Sequence, residues 1–407
     1  MISKINNKID IFLKILFIFF PIFIIIGPFA LNSFSLIFSI YAILNYKLLI
    51  YSKIFDKKIL IFFFSFVILI FPFESINFEN SFLKYLSFFR FLIMLIGLIL
   101  FLENTNKKEN FLDIVYKTYI VLFIIIAIDV YIEYFSGSNI LGFSSNYMGR
   151  IASFTDDELI IGYIFSFLVL FSLIFIYRKI KNLYFFLVIC VLIATSFFIG
   201  ERSNFIKLSL LIFTFCFIHF FYLNKFKLKN LFIVIFVTIA LFISFFEITK
   251  NTYVGKKFYY SFNNNIKEEF FSTKHAAHYT TAYKIFLNNP VFGIGINNFS
   301  LESSKEKYQN SNFNPSSTHP HQIYLEILSE VGLLGSIYFI FIFFYPIFIA
   351  LKFFKKYREI NIISHLLLHI FFIFPILPSG SFFGTNFGLP FWFNLSILIY
   401  LSKKSKI

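Results

Sequence analysis

FLKYLSFFRFLIMLIGLILFL, residues 82–102, holds only two charges, Lys84 and Arg90, in its 21 positions. At roughly 1.5 Å per residue, a helix of this length crosses the about 30 Å of hydrocarbon in a bilayer. Backbone polar groups in that solvent must bond to one another, which a helix achieves within a single segment. Apolar runs recur on both sides of it, at 11–31, 34–50, 58–73, 112–135, 158–177, 183–199, 203–223, 230–247, 331–354, 360–378 and 384–402. The expected fold class is all-α: a polytopic transmembrane bundle of about 12 helices, with a large external loop that contains short amphipathic helices.

Composition agrees, since 58% of the 407 residues are hydrophobic and 14% charged, more apolar surface than a soluble core of this length needs. A formal net charge of +15 would suit a nucleic-acid binder, but the placement of the basic residues excludes one. Lys8, Lys47, Lys53, Lys107, Arg178, Lys227, Lys356 and Lys404 fall in alternate connections, whereas the opposite short connections hold Arg150 and Arg202 alone. This positive-inside pattern places both termini in the cytoplasm and implies an even number of spans in a bacterial inner membrane, with lipids as the surrounding partner. Cys190 and Cys216 both lie within runs read as spans, so neither a disulfide framework nor a thiolate metal cluster is expected.

One interval breaks the rhythm and divides the chain into an N-terminal membrane region (1–247), an external loop (248–320) and a C-terminal membrane region (321–407). Long loops without a span of their own are usually functional. Lysines outnumber glutamates in this one, which suits an anionic partner. Tyr279, Ala282, Tyr283 and Phe286 recur at helical spacing before Asn288-Asn289-Pro290 and predict a short amphipathic helix on the membrane surface. Gly293 and Gly295 in GIGINNF (293–299) read as a tight turn. Pro320 predicts the start of a second helix, with His321 in its first turn and His319 in the loop before it.

Four of the seven histidines, His275, His278, His319 and His321, gather in or beside this loop. A histidine at a helix start feels the positive end of the dipole, which keeps the ring neutral and able to act as a general base. Hydrogen bonding at a helix end is the competing reading of His321, and both stand on spacing alone. A zinc site built from His-x-His and His-x-x-His lacks a nearby carboxylate or thiolate, so no metal is assigned.

Only five of the 36 basic residues are arginine, and a chain that otherwise writes lysine uses arginine where a planar fork matters. Arg150 and Arg202 are the two on the outer side, suited to phosphate. Glu201 offers Arg202 a structural alternative as an ion-pair partner. Arg90 is buried within its span and is expected to pair with Asp129 or Glu133.

HPHQIYLEILSEVGLLG (319–335) resembles the signature of the O-antigen ligase and polymerase family, in which a His followed by Asn or Gln opens a helix that ends in Gly-x-x-Gly. HYTTAYKIFLNNPVFGIGINNF (278–299) resembles the family segment before it, GERSNF (200–205) its arginine motif, and RIASFTDDELIIG (150–162) an upstream element. The resemblance implies a glycosyltransferase that moves glycan from an undecaprenyl-diphosphate-linked oligosaccharide onto a hydroxyl of an acceptor glycan or lipid-linked sugar, without cofactor or metal. It implies His321 as the base, and Arg202 on the donor diphosphate together with Arg150. Lys274 or His275 stands where the family often has a second arginine, and His319, His278, Glu201 and Glu330 take supporting places. A transporter or flippase of lipid-linked oligosaccharide is the alternative from topology. Transporters concentrate ionisable residues at mid-membrane in two related halves, and this chain places its motifs in one half.

The topology is checked with Ser304→Cys, which is expected to react with a membrane-impermeant thiol reagent in intact spheroplasts. Reaction only after lysis would place residues 248–320 inside.

Overall fold

The computed structural model describes residues 2–52, 54, 65–105, 111–145, 147, 149–180, 182–218, 247, 250, 255–256, 274–308 and 315–403. The described residues are helical without a strand. Residues 230–246 of the expected span 230–247, and residues 58–64 of the expected span 58–73, fall outside them. Two compact units form, residues 1–115 with 267–407, and residues 116–266.

In the first unit α1 (Ile2–Ile18), α2 (Phe20–Ile26), α3 (Pro28–Leu44) and α4 (Tyr46–Tyr51) lead to α5 (Phe78–Thr105). Instead of one span over 11–31, α1 and α2 are bent by 60° at Phe19. The cause is local: Pro21 supplies no backbone donor to the preceding turn, and Gly27, at φ 105°, separates α2 from Pro28 at the start of α3. After α6 (Phe111–Ser136) come the helices of the second unit, α7 (Ile161–Lys179), α8 (Asn182–Ile199) and α9 (Arg202–Ile218). The first unit resumes with α10 (Lys274–Asn288), the short α11 (Phe299–Ser303), α12 (Ile323–Tyr357), α13 (Asn361–Phe372) and α14 (Thr385–Lys403). Among the described residues α5, α6, α7 and α12 are long and apolar enough to cross a membrane, and the α1–α2 pair would make a fifth span.

α12 joins two elements that the sequence separates, the helix expected after Pro320 and the span 331–354. The joint is Gly332, at φ 62° and ψ −166°. A break there frees backbone groups on both sides, and the segment 290–295 takes up four of them. Leu333 N donates to Pro290 O at 2.9 Å and Leu334 N to Val291 O at 3.2 Å. In return, Ile294 N donates to Ser329 O at 3.0 Å and Gly295 N to Glu330 O at 2.9 Å. Buried backbone groups left unpaired would forbid such a break in a membrane helix. The GIGINNF turn is thus a backbone clasp on α12.

The clasp is tied further to the start of α5. Asn298 Nδ2 donates to Ser75 Oγ and Ser81 Oγ, both at 2.9 Å, and Ser81 Oγ donates to Ile296 O at 2.9 Å. The Glu330 carboxylate closes the turn by accepting from Asn297 N at 3.0 Å and Phe299 N at 3.3 Å.

α10 forms where expected and packs one face on the protein. His278, Thr281, Ala282 and Ile285 are buried, whereas Tyr283 is exposed. The winning stripe has helical spacing and packs on α12, for which small and medium side chains allow closer approach than Tyr283 would. Arg90 also departs from expectation. Its Nη2 donates to Thr385 Oγ1 at 3.1 Å, and Asp129 and Glu133 hold donors of their own unit.

At Gly332 an added Cβ would lie 2.3 Å from Val291 O, on a backbone that already favours glycine. Gly332→Ala is therefore expected to cost more than the about 1–3 kcal/mol of backbone strain alone, read as a lowered thermal midpoint in detergent. Gly137→Ala, at φ 86° with open space around it, is the control that carries strain without a clash.

Candidate functional site

In the first unit the four histidines do come together. The His321 ring centroid lies 4.1 Å from that of His319 and 5.4 Å from those of both His275 and His278. α12 starts at Ile323, not at Pro320, because the Gln322 side chain caps it by accepting from Leu325 N at 2.8 Å. His321 therefore precedes the helix and adopts a left-handed backbone, φ 58°, which a bulky residue keeps only when its surroundings impose it. Ser379 N imposes it by donating to His321 O at 2.9 Å.

Ser379 belongs to the connection between α13 and α14, and that connection is held in turn by Glu326. Its carboxylate accepts from Phe382 N at 2.8 Å and from the Ser381 hydroxyl. Glu326, Ser379 and Ser381 were not among the residues expected from the sequence. Glu326 and Glu330, one turn apart in an apolar helix, carried the readable signal, because intramembrane carboxylates are rarely idle.

The rings differ in environment. His275 is exposed at the start of α10. His278 is buried, with Nδ1 donating to Pro315 O at 3.0 Å, which leaves Nε2 as the acceptor of a neutral ring. His321 Nε2 is 3.2 Å from Ser317 Oγ. His319 was expected to point into the loop; instead its Nδ1 is 3.0 Å from Thr318 Oγ1, and its Nε2 is buried. Burial pushes the His321 ring down to about 3, helped by the neighbouring His319, His275 and His278. Burial likewise lowers His319 to about 4, against the opposing backbone of Ser379. Desolvation rather than the helix dipole thus keeps these rings neutral. Among the described residues no three His, Cys, Asp or Glu side chains are disposed to share a metal ion.

The second unit places Arg150 and the arginine motif side by side. Gly200, at φ 80°, leaves room for the chain at Gly149 and Arg150: an added Cβ would lie 2.0 Å from Gly149 O and 3.2 Å from Arg150 Cα. Ile151 N donates to Ile199 O at 3.1 Å. Two carboxylates of α6 fix the strand of chain after Arg150. Glu133 accepts from Ala152 N at 2.9 Å and Ser153 N at 2.6 Å, and Asp129 accepts from Ser153 Oγ at 2.6 Å and Ile140 N at 3.0 Å. Arg202 opens α9 and is exposed. Glu201 is buried and accepts from Gly162 N at 3.1 Å and from the Asn204 amide, so it anchors α7 to the motif.

Residues 200–340 match the family model described as O-Antigen ligase. That stretch is similar to an O-antigen ligase domain. No curated protein sequence matches the chain. The matched residues include Arg202 and all four clustered histidines, and the membrane-length apolar helices mark a multi-pass membrane protein. Arg150 lies outside the match, as does Arg90.

Unfolded imidazoles titrate near 6.5, so the unfolded chain takes up protons that the folded His319 and His321 refuse. Their contribution to stability is complete above pH 6.5 and is lost progressively as the pH falls toward about 4. His319→Gln is expected to flatten the acid slope of the unfolding midpoint between these values. An unchanged slope would mean that His319 is protonated in the folded chain.

Proposed function

We propose that the protein transfers glycan from an undecaprenyl-diphosphate-linked oligosaccharide to a sugar hydroxyl at the outer face of a bacterial inner membrane, with both termini cytoplasmic. The observation that supports this best is His321, a neutral ring held in a strained backbone by Ser379 beside three other histidines, within the O-antigen ligase match.

His321 accepts the proton of the acceptor hydroxyl as its oxygen attacks the anomeric carbon. The bond from that carbon to the diphosphate breaks, the diphosphate leaves with the electron pair, and in-line attack inverts the centre. A ring depressed to about 3 is a weak base in the resting protein. An anionic diphosphate beside it would stabilise the imidazolium and raise its basicity, so proton transfer is favoured only when donor is bound. Ser317 Oγ, 3.2 Å from Nε2, occupies a position like that of an incoming hydroxyl.

Arg202 holds the donor diphosphate through its planar fork, and Arg150 supports it from the adjoining segment. Lys274 or His275, at the exposed start of α10, meets the diphosphate where the family often has an arginine. His319 and His278 keep the ring neutral, Glu330 holds the clasp and Glu201 holds the arginine motif.

Purified protein in liposomes without an ion gradient is expected to transfer glycan from lipid-linked donor. Movement of donor across the bilayer with no new glycosidic bond would make it a transporter. His321→Ala should lower transfer by about 10² to 10⁴ at matched protein level, more than His319→Ala does. Arg202→Lys keeps the charge but loses the fork and should also impair turnover. Normal turnover in that variant would reduce Arg202 to a helix-end charge.

A further inference from the structure

Arg90 takes no part in the proposed transfer, and among the described residues its contacts are all with neutral groups. Nη2 donates to Thr385 Oγ1 at 3.1 Å, Thr385 Oγ1 donates to Asn32 Oδ1 at 3.1 Å, and the guanidinium lies 5.1 Å from the Phe91 ring centroid. Its Nε is buried with no partner. The carboxylates of Glu326 and Glu330 are occupied by Ser381, Phe382, Asn297 and Phe299.

The setting is unfavourable to a lone cation for two further reasons. Thr385 is the first residue of α14 and Asn32 lies early in α3, and helix N-terminal ends carry positive partial charge. Lys84, on the same helix, repels Arg90 and is itself offset by Glu330 and Glu326, which leaves Arg90 without a directly bonded anion. Polar groups continue along α3: Asn32, Ser35 and Ser39 share one face at helical spacing. Ser39 Oγ donates to Arg90 O at 3.1 Å, and Ser35 Oγ, between the two engaged residues, is fully buried without a partner. Donors thus gather around one half-buried arginine in a helix of membrane-spanning length, and among the described residues no carboxylate is bonded to its guanidinium. An uncompensated charge at such a place calls for a counterion.

We propose that Arg90, Ser35 and Thr385, with the N-terminal end of α14, bind the phosphate group of a membrane lipid. A phosphate accepts the guanidinium fork, a hydroxyl and a helix end together. Because α5 is a membrane-spanning helix, the ligand reaches Arg90 from the bilayer, carried on an acyl or polyprenyl chain. The site stands apart from the roles given to His321 and Arg202, and either a phospholipid or a polyprenyl diphosphate satisfies its chemistry.

Delipidated full-length protein and Arg90→Gln are titrated separately with phosphatidylglycerol, undecaprenyl diphosphate and diacylglycerol, with native mass spectrometry and thermal shift as readouts. The wild type is expected to bind and be stabilised by at least one of the two phosphorylated lipids, and the stronger of them identifies the carrier. Arg90→Gln should weaken that binding about tenfold or more. Equal binding by Arg90→Gln overturns the site, as does stabilisation by diacylglycerol equal to that by phosphatidylglycerol. A lower lipid-free midpoint with an unchanged lipid-induced shift also overturns it, making Arg90 a structural cation. Where Arg90→Gln does not fold, Arg90→Lys and Thr385→Val provide the comparison, and undiminished binding in both overturns the proposal.

Discussion

The first unit depends on the exchange of backbone hydrogen bonds where α12 breaks at Gly332. The helix gives up intrahelical partners there, and the segment 290–295 replaces them, two carbonyls for Leu333 N and Leu334 N and two N–H groups for Ser329 O and Glu330 O. Nothing cheaper would serve in an apolar surrounding, where each unpaired amide is costly. The exchange holds the first turns of α12 at a set angle to the remainder, seats α10 against them through Ala282 and Ile285, and reaches α5 through Asn298. Gln322 and His321 stand at the mouth of the helix so fixed, and their geometry is inherited from that clasp.

Buried carboxylates do the same work throughout. Glu326 holds the connection that carries Ser379, Glu330 holds the GIGINNF turn, Glu133 and Asp129 hold the chain after Arg150, and Glu201 holds the start of α7. Each accepts N–H or O–H donors, in bonds that are stronger where water is scarce. The acids thus act mainly as anchors for irregular backbone next to the cationic and imidazole groups. Around His321 the electrostatic logic is the reverse. Among the described residues no carboxylate is bonded to the ring, and burial disfavours its charge.

Much of this was legible from residue patterns, because some signals are local. Membrane helices follow from uninterrupted apolar length, so α5 and α6 match their expected runs closely. The histidine group and the arginine motif follow from short motifs. The break at Phe19 was foreshadowed by Pro21, but a continuous apolar run hid it. The helix α10 was legible from Tyr279, Ala282, Tyr283 and Phe286, whereas the stripe that packs on α12, with Ala282 and Ile285, was decided by tertiary contact. The partner of Arg90 could not be read, since opposite charges along a sequence carry no information about which helices face each other.

By itself the sequence determined the helical class, the membrane as solvent, and the chemical types brought to the site, since these depend on composition and on spacing within a helix. Only the tertiary structure decided that His321 lies before α12 in a left-handed backbone, that burial sets its charge state, and that Gly332 opens the helix to residues 290–295. Those outcomes rest on hydrogen bonds between segments far apart in the chain, such as Ser379 N to His321 O, and on desolvation by neighbours that no local pattern encodes.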